Sequence, residues 1–126
     1  ELLGVLAHEQ GHLDEKHSLH QTLTSVGISI LYVSITGDTS DILGGLPLAV
    51  VASQYSQKFE LQADQHAIQE LQRLNISPQY LADFLQRLSK DSEEDENASD
   101  FLQSHPATAK RIEQIKQAQA HSAKTD

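Results

Sequence analysis

Apolar residues recur along this chain at helical spacing, and no stretch alternates convincingly as a strand does. Leu2, Leu6 and Leu13, followed by Leu19, Leu23 and Val26, predict helix over residues 1 to about 23 with these side chains on the core side. Residues 26–52 are the most apolar stretch. Gly37-Asp38-Thr39-Ser40-Asp41 interrupts it, which predicts two buried or partly exposed helices joined by a turn. Neither half reaches the ~20 apolar residues of a membrane-spanning helix. Another helix is expected to open at Phe59-Glu60 and run to about Leu74. Asn75-Ile76-Ser77-Pro78 then stops and restarts the chain, with Ser77 as N-cap and Pro78 in the first helical position. Leu81, Phe84, Leu85 and Leu88 follow at i, i+3, i+4 and i+7, a strongly amphipathic helix. The run from Lys90 to Asp100 carries six acidic residues and reads as a solvated, mobile linker. A last helix is predicted from Pro106 to about Ala120, ahead of a polar tail over 121–126. The expected fold is mainly α, one helical unit over residues 1–120.

Composition narrows the function classes. A net charge of −9 over 126 residues argues against nucleic acid and against anionic membrane surfaces. With no cysteine, a thiol nucleophile and a Cys-type structural zinc site are both out. No Gly-rich phosphate loop follows a strand, and Gly44-Gly45 reads as a flexible break.

The chemistry lies in three short motifs. His8-Glu9-Gln10-Gly11-His12 is an HExxH pattern, and shuffling a chain with 7 His yields it on the order of 0.03 times. At 3.6 residues per turn His8 and His12 stand one above the other on one helix face, where two imidazoles can bind one Zn²⁺. Glu9, one position round, can reach a water held there. Catalytic zinc takes three protein ligands and leaves a fourth position open. Glu60 is the candidate third ligand, although a Glu opening a helix also simply favours the dipole. Asp64, one turn on, can hydrogen-bond the outer nitrogen of a ligating His. Gly11 and Ala63 are small enough to let the two helices approach closely. The third motif is Ser104-His105-Pro106, followed by Arg111-Ile112. His105 can donate to an oxyanion, visit the zinc as a fourth ligand or cap its own helix; spacing alone favours the cap, with Arg111 solvated or paired to a carboxylate. His17 and His20 lie about 140° and 80° round a continuous helix from His12, so they, like His66 and His121, read as surface residues. A metzincin would need Gly and His where Glu15 and Ser18 stand.

Taken in order, these motifs resemble the HtpX and CAAX-prenyl-protease type metallopeptidases, gluzincins whose third zinc ligand is a downstream glutamate. The run from Glu1 to His12 resembles their active-site helix, and Glu60 to Asp64 their ExxAD motif. Ser104 to Pro106 with Arg111-Ile112 resembles their later Ser/Thr-His-Pro element, and His17 falls where they often carry a basic or histidine pair. The resemblance implies a zinc-dependent endopeptidase acting on proteins or peptides. His8, His12 and Glu60 would be the ligands, Glu9 the catalytic base, and Asp64 would support the ligands. His105 and Arg111 would lie at the cleft or support it, His105 as oxyanion donor. In that family strands precede the active-site helix, whereas Glu1 stands only seven residues before His8, so the chain is expected to be part of a longer polypeptide. The alternative expectation is a zinc-binding, substrate-holding module without turnover. The setting suggested is the bacterial periplasm or envelope, with the cytoplasm and interfacial membrane contact left open.

Overall fold

The computed structural model describes residues 1–37, 46–92 and 95–122, with the side chains of 46–55 and 121–122 not included. The expected turn beyond Gly37, the Gly44-Gly45 break, Glu93, Glu94, the His121 side chain and the last four residues of the tail lie outside the described residues. Among the described residues there are six helices and no strand: α1 (Leu2–Asp14), α2 (His17–Thr36), α3 (Leu46–Arg73), α4 (Gln79–Asp91), α5 (Glu96–Ser104) and α6 (Ala109–Ser122). The mainly α expectation holds. No described helix is long and apolar enough to cross a membrane.

The organising element is α3, which packs against α1, α2 and α6. Its 28 residues are one continuous helix, so Glu60 lies well inside it and does not open it as expected. The reason is local: no Gly or Pro occurs from Leu48 to Leu74. Asn75 ends the helix in the left-handed conformation (φ 57°). Ile76 N–H returns to Leu71 C=O (2.8 Å) and Asn75 N–H to Gln72 C=O (3.0 Å), which satisfies carbonyls that the helix end leaves open. Ser77 Oγ accepts from Gln79 N–H (3.2 Å) and donates to Gln119 (2.8 Å), so α4 starts at Gln79, one residue later than expected.

The C-terminal half of α3 forms the apolar core. Ala67, Ile68 and Leu71 pack with Leu81, Ala82 and Leu85 of α4 and Ile115 of α6. Helix α1 packs closely along α3: a Cβ on Gly11 would lie 3.0 Å from Ala63 Cα, and one on Gly4, at the apolar end, would lie 3.2 Å from Leu81 Cβ of α4. These contacts set which way α1 faces, and they correct the expected core stripe. With Gly4, His8 and Gly11 turned inward, helical periodicity turns Leu2, Leu6 and Leu13 outward. All three are exposed, as are Leu19, Leu23 and Val26 on α2.

Three further expectations change. The single helix over residues 1–23 is broken at Lys16, which sits at φ 53° and lets the chain turn before His17. The acidic run is not one long linker. Its first residues finish α4, and from Glu96 it becomes α5, because Asp95 Oδ1 accepts from Asn97 N–H (2.9 Å) and caps the new helix. Ala98 is buried, and Phe101 packs edge-on against Phe84 with centroids 6.0 Å apart. The last helix begins at Ala109, three residues after Pro106, with Thr108 Oγ1 accepting from Arg111 N–H (3.3 Å).

Candidate metal centre

Three elements bring seven functional candidates together: α1 supplies His8, Glu9 and His12, α3 supplies Glu60 and Asp64, and the α5–α6 segment supplies His105 and Arg111. The Gly11–Ala63 contact places the histidine face of α1 directly against the Glu60 face of α3. His8, Glu60, Asp64 and Arg111 are buried, while His12 and His105 keep side chains 17 % and 18 % exposed and mark the open side.

The donor atoms converge. His8 Nε2 lies 3.1 Å from His12 Nε2, 3.3 Å from a Glu60 oxygen and 3.4 Å from His105 Nδ1. Glu60 lies 3.0 Å from His12 Nε2 and 3.2 Å from His105 Nδ1. Zinc bonds of ~2.0–2.1 Å in a tetrahedron require ligand atoms about 3.3 Å apart. Five of the six separations lie close to that value, and all four donor atoms lie within 4.8 Å of one another, a cluster that could hold one small cation. Imidazole nitrogens and a carboxylate are also the donor chemistry that Zn²⁺ takes.

Around the donors sits a second set of contacts. Asp64 Oδ1 is 2.8 Å from His8 Nδ1 and holds that ring so that Nε2 points at the donor cluster. Arg111 clamps Asp64 with two hydrogen bonds, Nε to Oδ2 at 2.6 Å and Nη2 to Oδ1 at 2.8 Å. Its Nη1 reaches Glu60 at 2.7 Å and donates to Pro106 C=O at 2.9 Å. Thus Arg111 is paired to carboxylates and buried, and it fixes the segment that carries His105. His105 ends α5, its ring stacked on Phe101 at 4.9 Å, and its Nε2 faces Glu9 Oε1 at 3.6 Å. In this arrangement His105 faces the donor cluster and does not cap α6.

The electrostatics follow from burial working against these partners. Burial alone would lower the His8 pKa, but hydrogen bonds to Asp64 and Glu60 outweigh it and raise the value to about 8. Burial alone would raise Glu60, yet the three histidines and Arg111 hold it well below the usual carboxylate range. Asp64 is likewise lowered against burial, chiefly by Arg111 and His8.

Sequence reasoning missed His17. It is buried, not on the surface, with its ring stacked on Phe59 (centroids 4.3 Å, planes 17° apart) and its Nδ1 2.9 Å from His12 Nδ1. The 140° separation held for a continuous helix, and the left-handed Lys16 removes that premise. Burial, then the neighbouring His12, makes His17 less basic than usual. His20 is exposed, and His66 is partly buried, 3.7 Å from Asp14.

Comparison with known proteins places the chain in a family. The sequence model of Peptidase family M48 matches residues 1–119. The chain is 32 % identical over 123 residues to Metalloprotease LoiP of Escherichia coli (strain K12), covering 92 % of this chain and 48 % of that protein. It is 31 % identical over 127 aligned positions to the Beta-barrel assembly-enhancing protease of Yersinia pestis, covering 89 % of this chain and 26 % of that protein. The chain thus spans about half the length of the first relative and about a quarter of the second. No solved structure gives a significant match. With the family pattern running across nearly its whole length, from the HExxH helix to α6, the chain belongs to peptidase family M48.

Proposed function

We propose that this chain carries the catalytic core of a zinc-dependent endopeptidase, with His8, His12 and Glu60 as zinc ligands and Glu9 as general base. The observation supporting it is the convergence of donor atoms from α1, α3 and the α5–α6 segment within 4.8 Å of one another, with neighbouring pairs 3.0–3.4 Å apart. Bound there, zinc supplies Lewis acidity, which brings the pKa of a water to about 7 and polarises the scissile carbonyl.

The remaining work falls to the chain's own side chains. Glu9, with its side chain 43 % exposed on the open side, accepts the proton of the attacking water and returns it to the leaving amine nitrogen. His105, on the open side and facing Glu9, would donate to the oxyanion that forms on the carbonyl. Asp64 fixes the His8 ring, and Arg111 neutralises Asp64 and Glu60 together. A cavity of about 240 Å³ beside Glu60, lined in part by Gln57, Gln103, Pro106 and Thr108, offers room for a substrate side chain. The relative named for β-barrel assembly supports a setting in the bacterial envelope. A second reading, zinc-dependent substrate holding without turnover, draws on the exposed Leu2, Leu6 and Leu13 that flank Glu9 on α1.

Cleavage of casein or a peptide by the zinc-loaded chain, blocked by a chelator, is the expected result. Glu9→Gln should keep stoichiometric zinc and lose roughly 10²–10⁴-fold in rate. Undiminished hydrolysis by Glu9→Gln would remove Glu9 from the chemistry, and zinc uptake with no cleavage by either form would favour the holding reading.

A further inference from the structure

His12 has two ring nitrogens, and the structure gives them different neighbours. Nε2 faces the donor cluster, 3.1 Å from His8 Nε2 and 3.0 Å from Glu60 Oε1. Nδ1 faces the opposite way, 2.9 Å from Nδ1 of His17. A neutral imidazole that offers Nε2 to a cation carries its proton on Nδ1. Two protonated nitrogens cannot sit at 2.9 Å, so the proton on His12 leaves a lone pair on His17 Nδ1 and puts the His17 proton on Nε2.

We propose that His17 is a positioning residue of the metal centre: it accepts the His12 Nδ1–H and thereby fixes the tautomer and ring orientation of that ligand. It does for His12 what Asp64 does for His8, but with a neutral acceptor in place of a carboxylate. The inference rests on the zinc-site reading above.

Three features hold His17 in that role. The ring is 3 % exposed, so the bond is shielded from competing water. It lies flat on Phe59, the residue immediately before Glu60, so one turn of α3 supplies both the support for His17 and a metal ligand. And Lys16 takes the left-handed conformation, φ 53°, a state that costs a non-glycine residue roughly 1–2 kcal/mol. On an unbroken helix His17 would point about 140° away from His12. The chain accepts an unfavourable backbone at Lys16, and the outcome is a ring turned back onto the ligand.

The difference between the two supports has a consequence. Asp64 is a buried anion clamped by Arg111, whereas His17 adds no charge. His12 is thus held without adding negative charge to the more open of the two histidine ligands.

The test compares two substitutions with opposite merits. His17→Phe keeps an aromatic ring for the stack on Phe59 and removes the acceptor. His17→Asn loses the ring and keeps an oxygen close to where Nδ1 stands. Zinc affinity, read by competition with a chromophoric chelator, should fall roughly 10- to 100-fold in His17→Phe. It should be largely retained in His17→Asn. The reverse order, or equal affinity in both variants and the unaltered chain, would overturn the proposal and leave His17 a packing residue. If neither variant folds, the unaltered zinc-loaded chain decides. Long-range ¹H–¹⁵N correlation on ¹⁵N-histidine protein should show His17 as the Nε2–H tautomer with Nδ1 unprotonated, and a proton on His17 Nδ1 would overturn the proposal. Absence of zinc binding by the unaltered chain is a separate result, because it defeats the zinc-site reading itself.

Discussion

One helix, α3, fills the interior in two different ways. Around Glu60 and Asp64 it buries carboxylates, and one turn later, at Ala67, Ile68 and Leu71, it buries only hydrocarbon. Asp64 and Ala67 are equally inaccessible, each with no exposed surface. The apolar end needs little more than filled volume from α4 and α6. The polar end holds together only while every charge keeps its partner, because an unpaired buried charge costs far more than a paired one returns. The same difference suits the polar end to the proposed metal site, because donors packed there cannot relax away from one another.

Breaking the polar end should have the largest effect. Arg111→Met keeps similar volume but removes the guanidinium that Asp64 and Glu60 share. It is expected to destabilise the metal-free chain by about 3–5 kcal/mol in urea unfolding. Leu71→Ala at the apolar end should cost about 2–5 kcal/mol, yet leave the zinc affinity of the folded fraction unchanged. A clear loss of affinity in Leu71→Ala would mean the two ends are not separable. Gly11→Ala pushes a methyl to 3.0 Å from the α3 backbone and should cost about 1–3 kcal/mol. Because it parts α1 from α3 at the ligands, it should weaken zinc binding as well, which calorimetry reads directly.

The smallest effect is pH dependence confined to the polar end. The His8 pKa stands at about 8 in the folded metal-free chain against 6.5 for an ordinary histidine. Its stabilising contribution is therefore full below 6.5 and disappears as pH rises through 8. His17, shifted the other way, contributes nothing to changes above 6.5, and the lowered Asp64 and Glu60 stay ionised throughout. The urea midpoint of the metal-free chain should fall between pH 7 and pH 9. In His8→Asn that fall should be absent.

What the sequence displayed follows the range of the interactions involved. His8 with His12, and Glu60 with Asp64, were visible because four residues make one helical turn, a purely local relation. The pairing of Glu60 with the histidine face, and its support by Asp64, followed from zinc's need for a third ligand. The buried clamp by Arg111 did not, because it depends on how α6 docks on α3. The leucines of α1 misled because hydrophobicity suggested an inward stripe, while two glycine contacts decided the orientation. A signal for the continuous α3 was present in the lack of any Gly or Pro from Leu48 to Leu74, and one for α5 in Asp95 ahead of Glu96. His17 had no comparable signal: a lysine in the left-handed region is not announced by its letter.

The account depends on four side chains from three elements meeting at one ion. X-ray absorption at the zinc edge, on protein loaded with one equivalent of zinc, tests this most directly. It should show a nitrogen and oxygen shell at ~2.0–2.1 Å with the outer scattering of coordinated imidazole rings, and that imidazole signal should shrink in His12→Ala. Failure to take up one equivalent, or a shell of water oxygens without imidazole, would contradict it.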